Sequence, residues 1–426
     1  MKILLLGAAG FIGRHLLSHL LSAGHQVTGI ARNDNGIDAA FPDAVFHSLN
    51  LARMTNSADW IGYLDDIDIV INAAGILRGP DMQAIHLDMP TALHTACEQM
   101  GVRQVILISA ISARADVATD YSQSKLAGEA SLKQTSLCWT ILRPSLVYGD
   151  GSYGGTSLMR GMSGLPGFIP IPGDGNYSFT PIHVRDLAKS VTILCGRNTT
   201  DNITLEPVGP TTISLRDLLI HYRSWLNFGE PWLLKIPMPV MHLFGRIGDF
   251  AGHGPIASNS LIQMVAGNSG NSVKFEKEIG FRPRSLSEAL LRRPAQVQDR
   301  WHARLFFIAP VLKAALVLLW IASAFLGLLF GEAQTITLLD RFNLPHSLAW
   351  PLQIITSLLD LTIAALLLFA RDTKWPTIIQ LVTVLGYTVV IGIALPMLWL
   401  DPLGPLLKNL PIITAILVYG AIGSNR

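Results

Sequence analysis

Tyr121 and Lys125 are the two residues whose types and spacing point most directly to chemistry. They bound the segment Tyr121-Ser122-Gln123-Ser124-Lys125, a YxxxK motif. Residues four positions apart share one face of an α-helix, so the phenol and the ammonium group are expected to be neighbours. A nearby cation stabilises a phenolate and lowers its pKa. Tyr121 would then donate and accept a proton near neutral pH, with Lys125 as its partner.

A glycine-rich segment near the start of the chain is a second candidate site. In Gly7-Ala8-Ala9-Gly10-Phe11-Ile12-Gly13, the first glycine permits a tight turn, the second lets the backbone approach a pyrophosphate, and the third permits close helix–sheet packing. The following helix would offer free N–H groups and the positive end of its dipole to phosphates. The segment lies between a predicted strand and a predicted helix, as a dinucleotide-binding motif requires. The expected cofactor contacts are Gly7, Ala9, Gly10, Phe11, Ile12 and Gly13.

The residues after the second predicted strand bear on which nicotinamide cofactor is bound. Ala31-Arg32-Asn33 stands where an NAD site usually has Asp or Glu. An arginine there can pair with the 2′-phosphate of NADP. A solvent-exposed loop arginine is the alternative interpretation, and Asp34 lies close by. The sequence favours NADP(H) over NAD(H).

A regular alternation of strands and helices positions these residues. Apolar runs predict strands at residues 3–6, 27–31, 67–72, 104–109 and 139–142, and helical patterns predict helices at 10–23, 84–100 and 121–133. Such alternation is typical of an α/β fold with a doubly wound parallel sheet. With the glycine turn after the first strand, it predicts a Rossmann fold.

Taken together, these motifs resemble the extended short-chain dehydrogenase/reductase superfamily over about residues 1–290. Further matching segments are Asn72-Ala73-Ala74-Gly75, Leu142-Arg143-Pro144, Val147-Tyr148-Gly149 and Pro181-Ile182-His183-Val184-Arg185-Asp186-Leu187-Ala188. Ile108-Ser109-Ala110 and the stretch 166–175 are similar to the atypical branch. That branch includes a subunit of respiratory complex I and related NAD(P)-binding proteins.

The resemblance implies roles for individual residues. Tyr121 would be the catalytic acid/base, and Lys125 would also hold the nicotinamide ribose. Ser109, with Ser112 as the alternative, would polarise the substrate oxygen. The other implied cofactor contacts are Asn50, Leu51, Ala73, Ala74, Gly75 and Pro144.

The chain departs from the superfamily pattern at three points. Ala110 intervenes at the serine position, Asn50-Leu51 stands where an Asp-Leu pair commonly meets the adenine, and the segment between Ser112 and Tyr121 is short. These departures bear on turnover more than on cofactor binding. In the atypical branch, the fold sometimes binds a nucleotide without reducing anything.

Residues 145–284 are expected to form a smaller substrate lobe within this domain. Its aromatic residues and the segment Pro237-Met238-Pro239 could build an apolar substrate pocket, lie against lipid headgroups, or simply pack within the lobe. A basic linker at residues 291–304 is expected to follow.

Residues 305–426 have the composition of a membrane domain. They contain six Lys or Arg and five Asp or Glu, whereas 15% of the whole chain is charged. Apolar stretches at 305–330, 346–370, 375–400 and 406–424 predict four transmembrane helices, since a ~30 Å hydrocarbon layer needs about 20 residues. A four-helix bundle that follows such an N-terminal domain resembles the DoxX-like family of small bacterial membrane domains.

Charged loop residues predict the orientation of these spans. Arg292, Arg293, Arg300 and Arg304 precede the first span, and Arg371 and Lys374 lie between the second and third. We therefore expect a multi-pass inner-membrane protein with its N-terminal domain and C-terminus in the cytoplasm. Asp360 lies near the middle of the second predicted span, where a carboxylate is costly unless paired, and Lys313 is a possible partner.

Net charge and cysteine content exclude some classes of function. A net charge of +2 without a basic stripe argues against nucleic-acid binding, and three isolated cysteines suggest neither a disulfide framework nor a metal site. The main hypothesis is a membrane-anchored NADP(H)-dependent oxidoreductase acting on a carbonyl or alcohol of an amphiphilic substrate: lipid-linked, quinone or isoprenoid. The alternatives are a nucleotide-sugar epimerase or dehydratase, and a non-catalytic NAD(P)-binding module that recruits a membrane-protein partner.

Overall fold

The chain divides into two compact units, Met1–Ala303 and Arg304–Arg426. The computed structural model describes residues 1–32, 36–197, 201–251, 257–370, 372–402 and 404–423. Asn33 and Asp34, which the sequence places beside Arg32, lie outside these ranges.

Strands in the first unit form one large sheet and three small ones. They are β1 (Lys2–Leu6), β2 (Gln26–Ala31), β3 (Val45–Ser48), β4 (Ile69–Asn72), β5 (Gln104–Ile108), β6 (Trp139–Leu142), β7 (Val147–Tyr148), β8 (Phe168–Pro172), β9 (Ser178–Phe179), β10 (Ile182–His183), β11 (Ile203–Leu205), β12 (Ile213–Ser214) and β13 (Trp232–Ile236).

The large sheet has seven parallel strands in the order β11-β6-β5-β4-β1-β2-β3. This order contains 3-2-1-4-5-6, the doubly wound arrangement whose chain direction reverses beside β1. The α/β Rossmann fold predicted from the sequence is therefore confirmed. The carboxyl ends of β1 and β4 meet at the reversal, where such folds bind ligands.

Helices occupy the connections between the strands and make up most of the second unit. They are α1 (Phe11–Ser22), α2 (Ile37–Ala40), α3 (Met89–Met100), α4 (Asp120–Lys133), α5 (Gly155–Ser163), α6 (Val184–Cys195), α7 (Leu215–Trp225), α8 (Met238–Ala251), α9 (Ser258–Ala266), α10 (Ser272–Ile279), α11 (Leu286–Arg292), α12 (Val297–Phe330), α13 (Glu332–Arg341), α14 (Ala349–Phe369), α15 (Lys374–Ala394) and α16 (Asn409–Gly423).

Hydrophobic clusters cover both faces of the large sheet. One cluster joins Ile3 and Leu5 of β1 to Leu16 and Leu20 of α1 and to α6. The other joins the alternate residues of β1, such as Leu4, to α3 and α4. Successive side chains point to opposite faces of a strand, so a continuously apolar strand such as β1 requires helices on both sides.

The region expected to form the smaller lobe holds the three two-stranded sheets, β7–β10, β8–β13 and β9–β12. The expectation needs one correction, because β11 belongs to the large sheet. Ile203 pairs with Thr140 and Leu205 with Leu142, in parallel register. This strand is too short to stand out in the sequence, and its position depends on pairing with β6.

Among the described residues, three helices are long and apolar enough to cross a membrane: Val297–Phe330, His346–Phe369 and Lys374–Ala394. The first starts at Val297, eight positions before the expected span. The fourth expected span contains α16, a helix of 15 residues. At 1.5 Å per residue it is about 22 Å long, shorter than a ~30 Å hydrocarbon layer.

Asp360 is buried inside the second unit, in the middle of α14. Its carboxylate accepts hydrogen bonds from Ser323 Oγ at 2.6 Å and from Tyr387 OH at 3.3 Å. Within the described residues, no ion pair joins Asp360 to Lys313, the possible partner named from the sequence. Hydroxyl groups of α12 and α15 satisfy the carboxylate instead.

Candidate functional site

The turn between β1 and α1 leaves no room for side chains at its glycines. Gly7 has φ +76°, and a Cβ there would come within 2.9 Å of the Ala73 backbone. A Cβ at Gly13 would lie 2.0 Å from the Gly7 carbonyl oxygen, and one at Gly10 would lie 3.1 Å from it. The turn can therefore pack against the loop after β4 only with glycine at these positions.

The N-terminus of α1 is free to bind an anion. Gly10 is the N-cap residue, no side chain caps the helix, and its first turn contains no acidic residue. Phe11 and Ile12, both half-buried, begin the helix. Arg14 Nε donates to the Ala9 carbonyl oxygen at 3.1 Å. The N–H groups at the start of the helix are the donors that a phosphate would use.

The loop after β4 lies directly beside this turn. Ala73 N–H donates to the Leu6 carbonyl oxygen at 3.1 Å, and the Asn72 side chain accepts from Ala74 N–H at 3.0 Å. These bonds hold the loop against the end of β1. The sequence-predicted Ala73, Ala74 and Gly75 are therefore brought together with the glycine turn.

Lys125 connects this loop to the neighbouring strand. Its buried Nζ donates to the carbonyl oxygens of Ala74 and Ile108, both at 3.3 Å. A Cβ at Gly75 would lie 3.0 Å from the same Nζ, so the absence of a side chain there lets the lysine reach the loop. Burial lowers the pKa of Lys125 to about 8, and the Glu129 charge opposes that shift.

Tyr121 lies one helical turn before Lys125 on α4 and is half-buried. Burial raises the pKa of its phenol to about 12. The spacing to Lys125 predicted the opposite direction, because a nearby cation stabilises the phenolate. In the protein alone the cost of removing the phenolate from water is the larger effect.

His86 is a residue of this site that the sequence analysis missed. It lies on a π-helical turn, Ala84–Asp88, and its ring packs edge-on against Tyr121 with centroids 5.5 Å apart. Its Nε2 accepts from Ile76 N–H at 3.2 Å, so the neutral ring carries its proton on Nδ1, which lies 2.9 Å from Ser124 Oγ. Burial and the Lys125 charge lower the pKa of His86 to about 3.

The bonds of His86 connect two elements of the candidate site. One is the loop after β4, residues 73–76, which we call the cofactor loop, and the other is the first turn of α4. Nδ1–H donates to Ser124 Oγ, and Ser124 Oγ donates to the Tyr121 carbonyl oxygen at 3.0 Å. Ile76 belongs to the loop after β4, so one side chain fixes both elements. No local sequence pattern indicates these contacts, because they join three segments that meet only in the fold.

The Ser109 side chain is engaged by a buried ion pair. Its buried hydroxyl donates to Glu129 Oε1 at 2.6 Å, and Arg143 holds the same carboxylate through bonds of 2.8 and 2.6 Å. The expected role of Ser109 as an oxyanion donor is therefore not supported by its contacts. Ser112, the alternative, is buried and has no side-chain hydrogen bond with the described residues.

Asn50, Leu51 and Pro144, the other predicted cofactor contacts, have partners elsewhere in the first unit. Asn50 caps the short helix Leu51–Arg53 through a bond from Ala52 N–H at 3.2 Å, and Leu51 belongs to the hydrophobic cluster that includes Ala74. Pro144 is buried, and its carbonyl oxygen accepts from Ile111 N–H at 2.9 Å.

Arg32 follows the carboxyl end of β2 and is exposed. Its guanidinium lies 3.7 Å from the Asp81 carboxylate, in a pair of which each side chain is about half exposed. Such an exposed pair is weak and leaves the arginine available to a phosphate group.

Comparisons with known proteins agree with this architecture. Residues 7–165 match the family described as NAD(P)H-binding, and residues 317–417 match the DoxX-like family. A ceramide reductase of Caulobacter vibrioides is 24% identical over 250 residues, covering 57% of this chain and 76% of the relative.

Two further similarities cover the first unit. Subunit 9 of the NADH dehydrogenase [ubiquinone] 1 alpha subcomplex of Mus musculus is 25% identical over 275 residues, covering 58% of this chain and 66% of the relative. The structure of UDP-glucuronic acid 4-epimerase from Bacillus cereus with UDP-glucuronic acid and NAD has a TM-score of 0.53 and 20% identity. It covers 72% of this chain and all of that structure. The chain therefore joins an NAD(P)-binding Rossmann domain to a C-terminal DoxX-like domain.

Proposed function

We propose that the chain is a membrane-anchored, NADP(H)-dependent oxidoreductase that acts on a carbonyl or alcohol group of an amphiphilic substrate. The observation that carries the proposal is the position of Lys125. Its buried ammonium group lies against the loop that packs on the glycine turn, one helical turn from Tyr121. This contact supports a cofactor site next to a proton-transfer pair.

The residues of the first unit fit a dinucleotide. The glycine turn has room for backbone only, and the uncapped end of α1 offers N–H groups to the pyrophosphate. Arg32 would bind the 2′-phosphate, and Lys125 the nicotinamide ribose. When bound, the nicotinamide supplies hydride transfer to or from a carbon atom.

The remaining steps belong to the protein's own side chains. Tyr121 gives a proton to the substrate oxygen in the reducing direction and takes one back in the other. After Tyr121 has given up its proton, the positive charge of Lys125 stabilises the resulting phenolate. His86 stays neutral and holds the start of α4 beside the cofactor loop.

The membrane helices and the reductase relative support the choice of substrate. The part of the chain that the structure describes has three helices able to cross a bilayer, so the protein would remain next to lipids, where amphiphilic molecules are concentrated. The ceramide reductase similarity agrees with a lipid-like substrate. We propose that α16 crosses the membrane as a fourth, shorter span, so that the first unit and the C-terminus both lie in the cytoplasm, as the loop charges indicate.

A non-catalytic NAD(P)-binding module is the second candidate, and the engagement of Ser109 by Glu129 favours it. A module of this kind would bind the nucleotide to steady its fold and would recruit a membrane-protein partner. Tyr121 would then have no role in turnover.

The test uses the full chain purified in mild detergent. NADPH binding is followed by nicotinamide fluorescence, and NADPH oxidation is followed with ceramide-like ketones, quinones and isoprenoid aldehydes. We expect Tyr121→Phe to bind NADPH as the wild type does and to lose about 10²–10⁴-fold in rate, the usual contribution of a general acid. Equal rates for Tyr121→Phe and wild type would contradict the mechanism, and binding without turnover of any substrate would favour the module.

A further inference from the structure

Helix α8 carries an apolar face that is largely uncovered. Its exposed apolar side chains recur every three or four residues, as one face of a helix requires. At Ile247, 56% of the residue surface is exposed, and at Phe250, 95%. The face consists of Val240, Leu243, Phe244, Ile247 and Phe250.

A different face of α8 packs against the protein. Gly245 is buried, and a Cβ there would lie 3.1 Å from Ser258 Oγ at the start of α9. Arg78 donates to the Gly248 carbonyl oxygen at 3.2 Å, which ties the end of α8 to the segment after the cofactor loop. The apolar face is therefore not the one that holds the helix in place.

The polar residues of α8 lie along the flank of the apolar face. Successive residues turn by about 100°, so His242, Arg246 and Asp249 form a third stripe, between the packing face and the apolar face. All three side chains are exposed. An apolar stripe flanked by polar residues, two of them able to carry positive charge, is the pattern of helices that lie in the plane of a membrane surface.

We propose that the apolar face of α8 binds the lipid bilayer, with Leu243, Phe244, Ile247 and Phe250 in the interfacial layer. The occupant is identified by the rest of the chain, which continues from the first unit into helices long and apolar enough to cross a membrane. The proposal rests on the membrane association in the proposed function and is independent of its redox chemistry.

The position of α8 gives this contact a consequence for the candidate site. Arg78 follows Gly75 and Ile76 of the cofactor loop by two or three residues, and it holds Gly248 of α8. A bilayer-bound α8 would thus lie beside the loop that packs against Lys125. An amphiphilic substrate could pass from the lipid surface toward the site along this helix.

The experiment places a fluorescent NBD label on α8 of the full chain. The labelled protein is reconstituted into lipid nanodiscs, with one chain in each nanodisc. The discs contain phosphatidylcholine and phosphatidylglycerol, with or without doxyl-labelled phosphatidylcholine as the quencher. Ile247→Cys and Phe250→Cys carry the label on the apolar face, and His242→Cys carries it on the polar face as the matched control. Cys138 is replaced by Ser, whereas Cys97 and Cys195 are buried and are retained.

Severalfold stronger quenching at positions 247 and 250 than at position 242 is the expected result. Equal quenching at the three positions would overturn the proposal. Blue-shifted emission without quenching by lipid would also overturn it, because protein would then cover the face. NADPH binding in the same discs reports on the first unit separately, so loss of binding with intact quenching counts against the proposed function alone.

Discussion

Ser109 donates a hydrogen bond of 2.6 Å to Glu129, whose carboxylate is fully buried and paired with Arg143. The hydroxyl thus completes the hydrogen bonding of a buried ion pair between the end of β5 and α4. Removing a donor from a buried charge leaves part of its desolvation cost uncompensated. The contact assigns Ser109 a role in stability.

The two serines near the end of β5 should therefore respond differently to substitution. Ser109→Ala should lower the free energy of unfolding by about 1–3 kcal/mol, the cost of an unsatisfied buried group, and leave the turnover number near that of wild type. Ser112→Ala should have the smaller effect on stability, because its hydroxyl has no partner to lose, and the larger effect on turnover. Hydrogen exchange of sheet amides and NADPH oxidation measure the two quantities. A loss of turnover confined to Ser109→Ala would restore it as the oxyanion donor.

Cofactor affinity should depend on the charge of Lys125. With a pKa of about 8, this lysine loses its proton as the pH rises through 8. The dissociation constant for NADPH is expected to increase above that pH, because the positive group beside the cofactor loop becomes neutral. Fluorescence titrations with NADPH from about pH 6 to pH 10 measure this dissociation constant.

Lys125→Met is the control for this dependence. It should bind NADPH weakly at every pH and show no change near pH 8, since the titrating group is absent. A wild-type affinity that stays constant through this range would show that the Lys125 charge does not contribute to binding.

The first unit should lose stability in mild acid. Burial lowers the pKa of His86 to about 3 and those of His94 and His183 to about 4. In the unfolded chain these histidines bind protons as the pH falls through about 6.5, whereas in the folded chain they stay neutral to lower pH. Their contribution to the free energy of unfolding is therefore fully present above about pH 6.5 and decreases below it. At pH 5, which is about 1.5 units below the pKa of an unfolded histidine, each of the three should have lowered the free energy of unfolding by about 2 kcal/mol, at about 1.36 kcal/mol per pH unit.

Hydrogen exchange of the sheet amides at pH 7 and pH 5, corrected for intrinsic exchange rates, measures this loss. His94→Leu removes one titrating group, and it should reduce the pH dependence by about a third if the three histidines contribute equally. The same acid loss in His94→Leu and wild type would contradict the assignment.

Arg32→Ala should separate the two nicotinamide cofactors. A hydrogen bond to a charged group contributes about 1.5–3 kcal/mol, so the dissociation constant for NADPH should rise about 10- to 100-fold. The affinity for NADH, which lacks the 2′-phosphate, should stay unchanged. Arg282→Ala, at another exposed arginine of the first unit, is the control. Equal losses for NADPH and NADH would rule out recognition of the 2′-phosphate by Arg32.

The parts of this protein that depend on local patterns could be predicted from the order of its residues. Buried parallel strands must be apolar throughout, and a phosphate turn needs glycines at fixed spacing, so the Rossmann fold and the cradle around Gly7 could be predicted. Long apolar stretches likewise predicted the helices around Val297–Phe330 and Lys374–Ala394.

Tertiary structure alone decided which side chains meet. Only the packing of α4 on β5 turns Ser109 toward Glu129, and only the fold places His86 between Ile76 and Ser124. The pKa of Tyr121 rises because burial, which local spacing does not reveal, outweighs the nearby charge. Hydrogen bonds and desolvation depend on neighbours distant in the chain, and their positions follow from the assembled sheet and helices.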